Sequence, residues 1–391
     1  MKSFFKLSAV AIAIITHSVY ADTASVDQLN GGHTTINQST KNTDTTANVI
    51  QEASGSVDIT QSGVSNLSKA SVTQQYGFFN ANINQSATAT TAVIKQIASD
   101  YSYGASAKIL QSGNQSNAII NQTADYFNGA YIEQTGTQGN ATVTQDTIKA
   151  NASIFQPGNN NTLTLLQTGV LSDARVSQAG NNSTVNITQS NFENSAYVMQ
   201  TAEDSSINLK QYGDLYTDHI VQSGYSNTIT VLQPGNWSDT EVAQSGTHNV
   251  INLTQDSLDI AKIRQDALDS TITLTQNSNN NATINQEGTT NVIHLDQTTS
   301  SADITQSGSN NVIAGLAGND SAATQLNSDV VIHQTGTQSQ IYLNQVGTAA
   351  GQAILNQKGD SNTLSLDQQV VGNSAFLNQA GNNNTLAVVQ K

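Results

Sequence analysis

The sequence predicts an all-β fold, a β-solenoid of about 16 two-strand coils in which each strand and its turn take 11 residues. Three observations lead to this prediction. Glutamine recurs at a fixed spacing, aliphatic residues alternate with polar ones before each glutamine, and turn-forming residues follow it. The twelve glutamines that recur every 11 residues without a slip are Gln134, Gln145, Gln156, Gln167, Gln178, Gln189, Gln200, Gln211, Gln222, Gln233, Gln244 and Gln255.

The same spacing continues with small insertions and deletions from Gln38 to Gln390. After Gln306, we expect Leu316 to occupy one glutamine position. A short strand cannot bury its inner face alone, so two successive units should fold back on each other to make one coil. Stacked coils would then bring each glutamine above another, and the amide of one could donate to the carbonyl of the next.

The residues before each glutamine alternate in polarity. Counted from the preceding glutamine, the ninth residue is aliphatic in all eleven regular units, as at Val143 and Ile154. The seventh residue is apolar in nine of these units, and the eighth is polar apart from Tyr197. Alternation with a period of two indicates a half-buried strand. The seventh, ninth and glutamine positions are therefore predicted to point inward.

The residues after each glutamine predict a tight turn. Asparagine or serine is common at the fifth position of the unit, as at Asn161 and Ser183, and makes local hydrogen bonds in turns. Glycine is frequent at the second position because it tolerates a positive φ. The predicted turn glycines are Gly136, Gly158, Gly169, Gly180, Gly213, Gly224, Gly235 and Gly246.

Composition excludes several classes of function. Only 10% of the residues are charged, and 13 basic residues against 28 acidic ones give a net charge of −15. This balance argues against nucleic acid or an anionic membrane surface as a partner. The chain has no Cys, which removes disulfides, thiolate metal sites and thiol nucleophiles.

The N-terminal residues predict an exported protein. Residues 1–21 read as a secretory signal peptide, with Lys2 and Lys6 before a short apolar run and small residues at Val19 and Ala21. No later apolar stretch is long enough to span a membrane. Residues 22–37 form a polar N-terminal segment, and residues 38–391 form the predicted repeat domain.

The repeated unit resembles the curlin repeat of curli amyloid fibre subunits. Residues 222–233, with the sequence QSGYSNTITVLQ, carry the family pattern of glutamine, glycine, asparagine, alternating apolar residues and a closing glutamine. Similar units are residues 244–255, 286–297, 357–368 and 379–390. Residues 22–37 resemble the secretion-targeting stretch of the family in place and polarity.

The resemblance implies a secreted structural subunit of extracellular fibres on the bacterial surface, acting in adhesion and biofilm formation. It implies as partners other copies of the chain, other curlin subunits including a nucleator, and an outer-membrane export pore reached through the periplasm. Because the ladder runs to Gln390 with no capping element after it, we expect the coils to polymerise end to end.

The sequence predicts no enzymatic activity, no cofactor and no metal site. His219 and His294 fall on outward positions and His248 in a turn, so solvated surface is favoured over a metal site. Asp218 falls on an inward position, and a coil defect near the solvent edge is favoured there. Calcium would need further oxygen ligands, and only Asp214 is near in sequence.

Another class of function stays open, that of a monomeric extracellular adhesin or surface-binding solenoid. An ice-binding solenoid would present regular outward threonine pairs, and only isolated pairs such as Thr142 and Thr144 occur. An adhesin would carry a distinct receptor-binding or capping domain, which the sequence does not show.

Overall fold

The structure is a computed structural model that describes residues 22–29, 31–40, 44–63, 67–123, 126–318, 321–370 and 372–391. The predicted signal peptide, residues 1–21, lies outside the described residues. The chain is divided between residues 194 and 195 into two compact units, here called unit 1 and unit 2.

Unit 1 is built from strands. Each regular strand ends at a glutamine, because the glutamine is the last inward residue before the turn. The strands are β1 Thr23–Gln28, β2 His33–Thr40, β3 Thr46–Gly63, β4 Lys69–Gln85, β5 Thr91–Gln111, β6 Asn117–Thr123, β7 Gly129–Gln134, β8 Asn140–Gln145, β9 Asn151–Gln156, β10 Thr162–Gln167, β11 Asp173–Gln178 and β12 Thr184–Gln189.

Alternate strands of unit 1 pair in parallel and in register. β8 pairs with β10 and β10 with β12, while β7 pairs with β9 and β9 with β11. Consecutive strands therefore belong to two stacks, and one strand from each stack makes a coil. The longer strands β3, β4 and β5 each contribute to both stacks, since β3 pairs with β1 through residues 46–51 and with β2 through residues 56–63.

The core of unit 1 consists of the predicted inward residues. In β8, Ala141, Val143 and Gln145 are each fully buried, and the residues between them are partly exposed. The same alternation runs through the regular strands because successive side chains of a strand point to opposite faces. Parallel register places like residues above one another, so aliphatic side chains stack in columns.

The solenoid of unit 1 begins earlier than the predicted boundary at residue 38. β1 pairs with residues 46–51, and Gln28 aligns with Gln51. Residues 22–37 therefore contain a strand of the stack and most of another, rather than only a polar segment before it. Val26 and Gln28 occupy inward positions, but one such pair was too short a pattern to predict a strand. A targeting role for this segment stays a prediction.

Unit 2 repeats the same architecture. Its strands are β13 Ser195–Gln200, β14 Ser206–Gln211, β15 Thr217–Gln222, β16 Thr228–Gln233, β17 Asp239–Thr247, β18 Val250–Gln255, β19 Ile260–Leu268, β20 Thr271–Gln276, β21 Asn281–Thr289, β22 Val292–Thr298, β23 Ser301–Ser309, β24 Val312–Ala314, β25 Ala323–Thr337, β26 Gln340–Lys358, β27 Thr363–Gln368, β28 Ser374–Ala380 and β29 Thr385–Gln390.

The two stacks of unit 2 are also parallel. One runs from β13 through β15, β17, β19, β21 and β23 to part of β25, part of β26 and β28. The other runs from β14 through β16, β18, β20 and β22 to β24 with the start of β25, then to part of β26, β27 and β29. The seventh and ninth positions again form the core.

The prediction that Leu316 occupies a glutamine position is wrong. Leu316 lies in a turn outside the stack and is 42% exposed. β24 ends at Ala314, the chain leaves the coil, and β25 resumes the same strand position at Ala323, opposite Leu295. Gln325 then pairs with Gln297 and takes the glutamine position.

The predicted fold class is confirmed. Within the described residues all regular secondary structure is strand and no helix occurs, and each unit is a parallel β-solenoid. The period-two alternation correctly predicted the strands, and the spacing of the glutamines correctly predicted the coil.

Candidate functional site

The candidate site of unit 1 is a pair of buried glutamine ladders. In each ladder the side-chain Nε2 of one glutamine donates to the Oε1 of the glutamine one coil further on, with N–O distances of 2.7–3.1 Å. One ladder consists of Gln28, Gln51, Gln74, Gln96, Gln122, Gln145, Gln167 and Gln189, and the other of Gln38, Gln61, Gln85, Gln111, Gln134, Gln156 and Gln178.

Unit 2 contains a second pair of ladders. One joins Gln200, Gln222, Gln244, Gln265, Gln286, Gln306, Gln334, Gln357 and Gln379 at 2.7–2.9 Å. In the other, Gln211 precedes a continuous run of Gln233, Gln255, Gln276, Gln297, Gln325, Gln345, Gln368 and Gln390 at 2.6–3.4 Å.

The twelve regular glutamines predicted from the sequence all lie in these ladders, and each is at most 2% exposed. The second amide hydrogen is used as well. Gln145 Nε2 also approaches the backbone carbonyls of Gly129 at 3.0 Å and Ala150 at 3.1 Å, and Gln178 does the same with Thr162 and Ser183. Each amide therefore joins two coils and also the start of the opposite strand. Each bond contributes about 0.5–1.5 kcal/mol net, and leaving the group unpaired would cost more.

The ladders have a direction. In every ladder bond between neighbouring coils the earlier residue donates and the later one accepts, as for Gln38 to Gln61 and Gln368 to Gln390. At the start of unit 1, the Oε1 atom of Gln38 is buried and has no partner. An early coil thus presents an acceptor and a late coil presents a donor.

The turn glycines are needed for close approach more than for a positive φ. Of the eight predicted, only Gly224 and Gly246 have a positive φ, and in the other turns a later residue such as Gln138 or Trp237 adopts it. A Cβ at seven of the eight would lie 1.3–2.1 Å from a carbonyl oxygen of the next turn. These seven are Gly136, Gly158, Gly169, Gly213, Gly224, Gly235 and Gly246. Gly180 supplies the carbonyl that Gly158 approaches.

The substitution Gly136→Ala is expected to destabilise unit 1 by about 1–3 kcal/mol, because its Cβ would lie 1.9 Å from the Gly158 carbonyl oxygen. Gly139→Ala in the same turn is the matched control, since its Cβ would come no nearer than 3.3 Å to any other atom, the ladder atom Gln134 Nε2, and a shift of a few tenths of an ångström relieves that contact. Hydrogen exchange of the backbone amides around β7 to β9 would measure the difference. Equal loss of protection in both variants would contradict the close-approach explanation.

A column of turn residues, which the sequence predicted only as local turn formers, also joins the coils. In unit 2, the backbone N–H of Asn227 donates to Ser205 Oγ, and that of Asn249 donates to Asn227 Oδ1, both at 2.9 Å. The column continues through Ser270 and Asn291 and on to Asn311, Ser339, Asn362 and Asn384. The recurrence of asparagine or serine at the fifth position was visible in the sequence. The burial of these side chains results from the stacking of the coils and was not predicted.

Asp218 departs from the repeat, and the prediction that it lies near the solvent edge is wrong. Its side chain is 1% exposed and accepts from Gln211 and Gln233. Burial raises the pKa of this carboxyl from 3.8 to about 7, against the lowering effect of its hydrogen bonds. Burial likewise raises the pKa of Asp259, which accepts from Asn280 in a buried turn.

The three histidines that the sequence placed on the surface, His219, His248 and His294, lie on the outer side of the strands and turns of unit 2, as predicted. The ring of His219 lies 4.9 Å from that of Tyr197. His248 Nδ1 is 3.2 Å from Asp269 Oδ1, with both side chains more than half exposed, and His294 is half-buried. Among the described residues, no group of three or more His, Asp or Glu side chains could hold a metal ion.

The outer face of unit 1 has a shallow groove of about 700 Å³. Gly129, Lys108, Tyr131 and Arg175 are among the residues that line it. Both cations already have neighbours, since Lys108 Nζ lies 5.5 Å from the Tyr131 ring centroid and Arg175 pairs with Asp173 at 3.5 Å. The groove therefore offers a polar, largely satisfied surface.

The fold and the ladders define a class, the parallel β-solenoid whose coils are joined by buried glutamines. The family model for the curlin associated repeat matches the chain over residues 158–190, 180–213 and 353–391. The predicted resemblance to the curlin-repeat family is thus confirmed over these three segments, which are similar to the curlin associated repeat. No curated protein matches the chain.

The part of the chain that the structure describes contains no helix of the length and apolar character needed to cross a membrane.

Proposed function

We propose that this chain is a structural subunit of secreted, curli-like amyloid fibres that act in cell adhesion and the biofilm matrix, and that it is not an enzyme. The observation that carries the proposal is the directional glutamine ladder inside an in-register parallel stack. The same strand edges and glutamine side chains repeat from coil to coil. A coil of another copy of the chain can therefore make the same hydrogen bonds and apolar contacts to an end coil as a neighbouring coil makes within one chain.

The two edges are complementary. β1 presents the half-buried residues Ala24, Val26 and Gln28, and β29 presents the half-buried residues Leu386, Val388 and Gln390. The unpartnered Gln38 Oε1 supports an acceptor edge in unit 1, and the order of donors in unit 2 supports a donor edge at Gln390. Joining unit 2 of one copy to unit 1 of the next would continue the stack, and such a head-to-tail contact does not close.

Charge does not oppose this assembly strongly. A net charge of −15 is spread over the whole chain, so neighbouring coils carry few charges each. Salt screens exposed charges that are more than about 8–10 Å apart. Repulsion is therefore expected to slow assembly and not to prevent it.

We expect the chain without residues 1–21 to form fibres that bind amyloid dyes and diffract at ~4.7 Å along the axis and ~10 Å across it. Preformed fragments should accelerate growth.

The inward double variant Leu386→Lys with Val388→Lys should slow elongation at least about tenfold, since it places charges where the next coil would pack. The outward pair Ala387→Lys with Val389→Lys adds the same charge to exposed positions and should elongate normally.

A protein that stays monomeric for days at micromolar concentration with seeds present would contradict the proposal and favour a monomeric adhesin or surface-binding solenoid. Equal elongation by the inward and outward variants would contradict the proposed edge.

A further inference from the structure

Asp218 occupies a column of unit 2 that otherwise holds small uncharged residues. Its register neighbours are Ala196 on β13 and Thr240 on β17, followed by Ala261 on β19 and Ala282 on β21. Asp218 is 1% exposed and Thr240 is fully buried. Nothing in the pattern of the strand requires a carboxyl at this position.

The carboxyl interrupts the ladder that starts at Gln211. Gln211 Nε2 donates to Asp218 Oδ2 at 2.9 Å, and Gln233 Nε2 donates to Asp218 Oδ1 at 3.0 Å. Gln233 Oε1, the acceptor that an earlier ladder glutamine would fill, is buried and has no partner. From Gln233 onward the ladder is regular again, with a distance of 3.2 Å to Gln255.

The surroundings of Asp218 favour the neutral acid. The ionisable groups that act on it or face it are Asp239 on β17 and, in the turn before β15, Tyr216, whose hydroxyl donates to the Gly235 carbonyl. Thr240, Gln211 and Gln233 face it as neutral groups. The buried charged residues of the described part of unit 2 are Asp218, Asp259 and Asp367, and no lysine or arginine is buried with them. A protonated carboxyl would also supply a donor that the carboxylate lacks, and it would do so in contact with Gln233, whose Oε1 has no partner.

We propose that Asp218 is a proton-sensitive break in the glutamine ladder of unit 2, which holds the coil closed as the neutral acid and loosens it when the carboxyl ionises. This inference does not depend on fibre assembly, because it concerns the opening of coils within one chain. Its consequence is a solenoid that is tighter in mild acid than at neutral pH.

The sign follows from proton linkage. The raised pKa means that the folded coil binds a proton between about pH 4 and about pH 7 that the open coil has released. Stability at this coil is therefore greatest in acid and falls as the pH rises through this window. The opening equilibrium is expected to increase about tenfold for each pH unit within it.

Hydrogen exchange with mass spectrometry on the full chain would test this, with rates corrected for the intrinsic effect of pH. We expect peptides from β14 to β16 to lose protection by about ten- to a thousandfold between pH 4 and pH 7.5. Asp218→Asn and Asp218→Ala should remove this pH dependence. The alanine variant gives position 218 the residue type that Ala196, Ala261 and Ala282 have at the equivalent position of their strands. Asp303→Asn, an exposed aspartate on β23, is the control and should leave it unchanged.

A second variant tests whether a buried carboxyl in this column is sufficient to make coil opening depend on pH. Ala261→Asp would place a carboxyl in the same column, between Gln255 and Gln276 in sequence. It should make protection of β18 to β20 fall more steeply with rising pH than in the unsubstituted chain, where the buried Asp259 before β19 already contributes. The proposal is overturned if β14 to β16 show equal protection at both pH values, or if Asp218→Asn retains the wild-type dependence.

Discussion

Replacing Gln265 with alanine is expected to destabilise unit 2 by about 4 kcal/mol, since it combines a cavity with two broken ladder bonds. Gln265 is fully buried, accepts from Gln244 at 2.8 Å and donates to Gln286 at 2.7 Å. The substitution leaves a buried donor on Gln244 without its acceptor and a buried acceptor on Gln286 without its donor. Neither group can reach water inside the stack, so the full penalty should be observed.

Hydrogen exchange of β17 to β21 would measure this loss, because opening in a repeat protein is local and a single global transition is not assured. Gln352→Ala is the matched control. Gln352 has the same side chain on β26, but it points outward and is exposed, so its removal should change stability by less than about 0.5 kcal/mol. If both variants lost protection equally, the ladder would be a consequence of the fold and would contribute little to its stability.

The sequence predicted the strands, their inward residues and the glutamine ladder because these features depend on the order of residues within one repeat unit. Ala141, Val143 and Gln145 alternate with polar residues, and that alternation needs no knowledge of other coils. Parallel stacking of a periodic chain then brings like residues together without further information. The predicted glutamines consequently lie one above another within each unit.

Features that depend on what lies one coil away could not be predicted in the same way. Gly136 looked like a residue selected for positive φ, but its φ is ordinary and the carbonyl of Gly158 is what excludes a side chain. The depth of Asp218 was misjudged because its burial arises from the coils on either side. Leu316 followed Gln306 at nearly the repeat spacing, yet the chain leaves the coil there and returns at Ala323.

Placing a lysine at Ile284 is expected to open the middle of unit 2 and cost more than about 4 kcal/mol. Ile284 is fully buried on β21 and aligns with Ile263 and Ile304, so no solvent and no carboxylate is available to its ammonium group within this aliphatic column. Asn285→Lys is the control, because it makes the same change in net charge on the next residue, which points outward and is partly exposed. Hydrogen exchange of β19 to β23 should show lost protection for Ile284→Lys and nearly native protection for Asn285→Lys. Similar protection in both would mean that the aliphatic column does not stabilise the coils.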